Sequence, residues 1–405
     1  MRVEARGAYA CALRDGLIWC WGDNRSGQLG AGDRVQRRSG PDDPPLIPVD
    51  LDARATTVAL GDAHACAISE DETVHCWGEN GFGQLGLGDR SNRGDDPKEL
   101  GTALRPVDLG STRAPLALAL GDRHSCVMLE GGRIRCWGAN EAGQLGLGDR
   151  ATRGDDPGEL GDQLAPVDLG PEAVAVALAA GANHTCALLA GGAVKCWGSN
   201  EFGQLGLGDT EARGDAPGEL GAALSAVELG SAATAIAAGR NHSCAVLSNG
   251  NVVCWGMNGA RQLGLEDGLS RGTDTTLSLE PVPFAEGLSV RAVAAGASHT
   301  CAISSDGAVR CFGLDFFGAL GLAADETMSG APFDFGNKGR GVALGAGRSV
   351  IELSAGIDFT CALLDTLDIK CWGLNARGQL GLGDSETRGD DPDELGDALP
   401  TVPLD

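Results

Sequence analysis

Fourteen cysteines stand in seven pairs: Cys11 with Cys20, Cys66 with Cys76, Cys126 with Cys136, Cys186 with Cys196, Cys244 with Cys254, Cys301 with Cys311, and Cys361 with Cys371. Cysteines in such numbers bind metal, exchange disulfides or cross-link a fold. Zinc takes about four ligands, typically in C-x2-C pairs, and no such pair occurs here. The C-x-x-C of redox sites is missing too. Buried free thiols, serving as small core residues, are a further reading. The spacing favours cross-links. Partners are ten positions apart, nine in the first pair, with turn residues between them. A three-residue turn at Ala190-Gly191-Gly192 sets Cys186 opposite Cys196. The two-residue turn Asp15-Gly16 sets Cys11 opposite Cys20. Residues opposed in an antiparallel pair have Cα atoms about 4.5 or 5.5 Å apart, within disulfide range. The sixth unit has Phe312 for Trp and Ala319 for Gln, yet keeps Cys301 and Cys311, as a pairwise constraint would require. We therefore expect seven disulfides and an oxidising compartment, extracellular or periplasmic, with the cytoplasm as the alternative. The opening MRVEARGAYAC enters repeat-like sequence at once. Export thus implies a leader outside this sequence.

The elements that hold these pairs repeat with them. The first cysteine advances by 55, 60, 60, 58, 57 and 60 residues from unit to unit. This divides the chain into units of approximately 1–50, 51–109, 110–169, 170–229, 230–284, 285–345 and 346–405. At 405 residues the chain exceeds the roughly 250–300 that one undivided core usually reaches, so a repeat architecture is the natural solution. Short Val-, Ala- and Leu-rich segments broken by glycine read as strands. About four per unit, seven times over, predict an all-β, seven-bladed propeller of four-stranded blades. The final LPTVPLD matches LRPVDLG at 104–110, so the N- and C-terminal segments are expected to close one blade together.

The pattern GxxHxxAL…GxVxxWGxNxxGQLGxG, present as Gly181–Leu188 with Ala193–Gly208 and in the other units, resembles the regulator-of-chromosome-condensation repeat. That resemblance covers the whole chain and implies a seven-bladed propeller. The family's members range from a nucleotide-exchange factor through a photoreceptor to a secreted inhibitor, so it leaves the function open. The paired cysteines are this chain's own addition.

Each unit also carries an inserted loop, such as GDRSNRGDDPKELG from residue 88. Asp96 as N-cap, Pro97 next and Glu99 completing a capping box predict one helical turn ended by Gly101. Asp89, Asp95, Asp96 and Glu99 are candidate calcium ligands, although their spacing is not that of an EF-hand. Arg-Gly-Asp recurs in these loops, at 93–95 for example, where its charges are expected to pair locally.

The net charge of −25 disfavours phosphate backbones and anionic lipid. No apolar run reaches the roughly 18–20 residues of a membrane span. No catalytic constellation is visible. His64, His124, His184, His242 and His299 share one repeat position with Tyr9 and Phe359, as packing residues would. Variable positions inside the constant frame are better candidates for recognition: Phe82, Arg123, Phe202, Arg240, Phe316, Phe317 and Arg377. The expectation is a monomeric, non-enzymatic protein-binding scaffold, a secreted inhibitor or adhesion-type propeller. The alternative is an intracellular guanine-nucleotide exchange factor or other GTPase regulator.

Overall fold

A computed structural model describes residues 1–40, 43–111, 114–285, 287–322 and 341–404. Its regular structure is seven antiparallel three-stranded sheets, spanning residues 2–22, 55–78, 115–138, 175–198, 233–256, 290–313 and 350–373. These are the seven blades, numbered here in chain order. In the fourth, Ala175–Ala180 pairs with His184–Leu189, which pairs with Val194–Gly198.

The first strand of every blade lines one central channel. Seven strands converging on an axis leave room only for modest side chains, and sequences such as AVALAA and ATAIAA supply them. Most middle strands are buried along their whole length, so they read as near-continuous apolar runs.

The fourth, outermost segment is an edge held by one bond. The amides of Val49, Val107, Val167, Val227, Val282, Val342 and Val402 each donate to a carbonyl on the third strand of their own blade. In four blades the residue before that valine is a proline (Pro48, Pro106, Pro166, Pro281). A proline has no N–H to extend the ladder and blunts an exposed edge.

The ring does not close as expected. Val402 bonds Ile369 within the seventh blade, and the first blade takes its own Val49. Each hairpin is followed by its own outer segment, so both terminal blades are complete and no strand is shared. The seam is closed by contacts between whole blades. The Ile357 amide donates to Gly7 O at 2.9 Å, and Trp21 Nε1–H donates to Gln379 O at 3.0 Å. Val3, Ala5, Trp21, Phe359, Leu363 and Val402 pack together there.

All fourteen cysteines are paired as the hairpin register requires. Cys11 is bonded to Cys20, Cys66 to Cys76, Cys126 to Cys136 and Cys186 to Cys196. Cys244 is bonded to Cys254, Cys301 to Cys311 and Cys361 to Cys371. Their Cα–Cα distances are 4.0–4.1 Å. Each disulfide is a buried rung between the middle and third strands of its blade. Neither free thiols nor thiolate metal ligands remain among them.

The helical turn of the inserted loop is displaced from the predicted start. A 3-10 turn spans Gly101–Ala103, with a counterpart at Gly161–Gln163. Glu99 makes its half of the capping box, accepting the amides of Gly94 and Asp96. Gly101 begins the turn instead of ending it. Its φ is +60°, and a Cβ there would lie 2.7 Å from the Asp50 carboxylate.

Candidate binding face

In an antiparallel three-strand meander, the first strand ends where the second begins and where the third ends. The pairings Arg6↔Tyr9 and Tyr9↔Gly22 show this directly. The residues before each His position and those after each Trp-Gly therefore share one face of the disc. The hairpin turns point to the opposite face. All seven sequence candidates for recognition lie on this loop-bearing face.

Repeat-constant residues beneath that face are used to join blades. His64 Nε2 lies 3.0 Å from Ser125 Oγ on the next blade, and His124, His184, His242 and His299 repeat the contact with Thr185, Ser243, Thr300 and Thr360. Each hydroxyl donates onward to a backbone carbonyl, Gln84 O for Ser125. It must therefore accept from the imidazole, which fixes the Nε2–H tautomer. Burial, with neighbouring positive charges adding, lowers the first four imidazoles to about 3. Burial alone lowers His299 to about 4. These rings are neutral struts and poor bases at ordinary pH. Gln84 O also accepts from Trp137 Nε1, at 2.9 Å. Gly121 carries no side chain because a Cβ there would lie 2.1 Å from the His124 ring.

At the channel mouth, Arg6 reaches from the first blade to the carbonyls of Ala180 and Ala238 on the fourth and fifth blades. Asp122 lies 3.8 Å from Arg6 and 3.7 Å from Arg240. Burial, reinforced by Asp122, pushes the Asp62 carboxyl up. Sequence reading missed Arg6, Asp62 and Asp122 as a cluster, because its members come from separate units.

The inserted loops of the first four units are latched one to the next. Arg34 pairs with Asp95 of the next unit at 2.5 Å, Arg90 pairs with Asp155 at 2.5 Å, and Arg150 pairs with Asp215. Gly83 fits beneath one latch with φ +71°, where a Cβ would meet Asp155 N at 2.4 Å. Three of the four calcium candidates take part in such bonds. Asp89 holds Arg93 and the Asn80 amide, Asp95 holds Arg34, and Glu99 holds two backbone amides. Burial, with the adjoining Asp95 carboxyl adding, raises the Glu99 carboxyl. Among the described residues no cluster of three or more metal-ligating side chains is present. The Arg-Gly-Asp tripeptide is engaged in the same contacts, Arg93 within its own loop and Asp95 on the loop before.

The other candidates separate into engaged and free. Arg123 lies over the Phe82 ring at 4.7 Å. Phe202 and Arg377 are half-buried, with amides bonded to Gln204 and Gln379. Phe316 and Phe317 are 80% and 40% exposed. Beside them, burial with the added charge of Asp390 raises the Asp315 carboxyl to about 6, against the pull of the Leu320 amide.

Comparison with known proteins bears on this architecture. A family model described as RCC1-like domain matches residues 2–267 and 115–403. The chain is 30% identical over 398 residues to the ultraviolet-B receptor UVR8 of Arabidopsis thaliana, covering 95% of this chain and 79% of the receptor. It is 32% identical over 238 residues to the probable E3 ubiquitin-protein ligase HERC4 of Homo sapiens, covering 58% of this chain but 20% of that ligase. Among solved structures, yeast RCC1 (Prp20) bound to Kap60 matches with a TM-score of 0.70 at 22% identity, over 96% of this chain and 84% of that one. At that identity the likeness is one of fold.

Proposed function

The chain belongs to the RCC1-like domain family, and on that premise we propose a non-enzymatic, protein-binding propeller that works in an oxidising compartment and engages its partner through the loop-bearing face. One observation carries the reading. The repeated His, Trp, Gln and latch residues are committed to blade-to-blade bonds, while the variable residues before each His position and after each Trp-Gly share a single face. A frame held constant and a face left variable suit recognition better than catalysis. The seven disulfides support export, since cytosolic thiols are kept reduced. They weigh against the alternative of an intracellular exchange factor.

The test of compartment is a thiol titration of the denatured protein isolated from its native source. No free thiol without reductant, and fourteen with it, is the expected result. Fourteen thiols without reductant would remove the exported reading. Stimulated release of bound guanine nucleotide from a small GTPase would favour the alternative.

A further inference from the structure

Two junctions between blades present the same positions with opposite chemistry. Between the second and third blades, Arg123 covers Phe82 at 4.7 Å and Arg90 pairs with Asp155 at 2.5 Å. Between the sixth and seventh, Phe317 and Asp390 stand at the positions of Phe82 and Asp155. The position of Arg123 is Asp358, and in the sequence that of Arg90 is Asp325, which lies outside the described residues. The aromatic ring and the acidic acceptor are kept, and both cations that would answer them are replaced by carboxylates. Among the described residues, neither Asp390 nor Asp358 forms an ion pair, whereas Asp95, Asp155 and Asp215 each hold an arginine. Phe316, 80% exposed, adjoins this site.

We propose that the loop face at the junction of the sixth and seventh blades docks an arginine-bearing segment of a partner protein. One guanidinium stacks on Phe317 as Arg123 does on Phe82, another pairs with Asp390 as Arg90 does with Asp155, and Phe316 receives an apolar neighbour. This rests on the protein-binding reading above. Arginine fits better than lysine, because a planar guanidinium both stacks on an aromatic face and forks onto a carboxylate. Attraction between the −25 chain and a cationic segment adds to the encounter.

The probe is a labelled peptide, acetyl-Leu-Arg-Ala-Arg-Leu-amide, with a lysine-for-arginine copy. Anisotropy is read against the full oxidised chain at low and moderate salt. The arginine peptide should bind at least about fivefold more tightly than its lysine copy, in line with a stacked and forked contact. Asp390→Asn and Phe317→Ser should each weaken it by about fivefold or more. Asp358→Arg, which restores the internal cover of the ring, should abolish binding, while Leu17→Ser, at an exposed hairpin turn on the opposite face, should leave it unchanged. An unaltered melting temperature keeps each variant interpretable. Equal binding of both peptides, or indifference to Asp390→Asn and Phe317→Ser, overturns the inference, as does occupation of this face by a second copy of the chain in sedimentation. Where the peptide fails while a partner is retained by wild type and lost with Arg240→Ala, the arginine site falls and the protein-binding reading stands.

Discussion

Five junctions of the ring are joined by a histidine and a hydroxyl; the two that flank the first blade are not. At those two, Tyr9 faces Ala65 and Phe359 faces Ala10, so the strut and its receiver are lost together. Tyr9 donates instead to His64 O at 2.5 Å, and Phe359 packs into the apolar seam. A histidine is present wherever the next blade offers Ser or Thr, and absent wherever it offers Ala. The reason is the cost of burying an imidazole donor without an acceptor. The seam also carries a feature the other junctions lack. Glu4 and Glu352 approach each other where the first and last inner strands meet, and Ser354 Oγ donates to Glu4 Oε2 at 3.3 Å. The struts and the seam therefore respond to pH in opposite directions.

The largest effect expected is in acid. Imidazoles lowered to about 3 or 4 in the fold take protons more readily in the unfolded chain. The stability they provide is whole above their ordinary value of 6.5 and is lost progressively as pH falls towards about 3. Glu4 works the other way. Burial, with Glu352 adding, raises it from 4.5 to about 8, so its contribution is whole below 4.5 and is lost as pH rises through about 8. Melting temperature should fall steeply from pH 6 downward, with a shallower decline from pH 6.5, where the histidine contribution is whole, up to about 8. Glu4→Gln should flatten only the alkaline limb. Amide exchange should locate the two effects. Protection of the Ile357 amide, bonded across the seam to Gly7, should drop first in alkali. Protection of the Ala182 amide, bonded to Arg240 O, should persist there. Parallel loss at both sites would show that the seam is no weaker than the struts.

Exchanging the two kinds of junction tests the pairing rule next. His184→Phe removes a buried hydrogen bond and should cost about 2–3 kcal/mol in denaturant unfolding. Phe359→His places an imidazole against Ala10 and should cost about 1–3 kcal/mol. Adding Ala10→Thr supplies the missing acceptor. The double variant should recover about 1–2 kcal/mol of that loss, read as the interaction energy of a mutant cycle. Strictly additive effects would reduce the correlation to coincidence.

The disulfide register, the seven blades and the run of loops were all legible in the sequence, because each is set by spacing within a unit. What escaped depends on relations between units. The His–hydroxyl rule was present in the letters, but only when each unit's histidine position is read against the following unit, and the seventh against the first. The site of ring closure is not legible in LPTVPLD alone, because it turns on Val49 already serving the first blade. The Arg90–Asp155 latch spans 65 positions, and no local pattern joins its ends. The capping box at Asp96 is half formed. Glu99 does accept the amides, but Asp50 of the preceding unit takes the Gly101 amide and moves the helical turn onward.

The smallest effect separates the sixth unit from the rest. Six units place a Trp indole N–H on the carbonyl of the preceding unit's Gln or Ala, while the sixth has Phe312, set edge-on to Phe284 with centroids 6.4 Å apart. Trp137→Phe copies that change where no second ring waits to fill the space. Ser125 still donates to Gln84 O, so the carbonyl keeps one of its two donors. The loss is then one neutral hydrogen bond and part of an aromatic ring's packing, about 1–2 kcal/mol. Replacing Ser125 by Ala in the same background removes the second donor. It should cost more than Ser125→Ala alone, because the buried carbonyl is then left without a partner. Equal costs in the two backgrounds would mean that the indole bond contributes only packing. The frame of the sixth blade, bearing Phe316 and Phe317 above it, would then be as firm as any other.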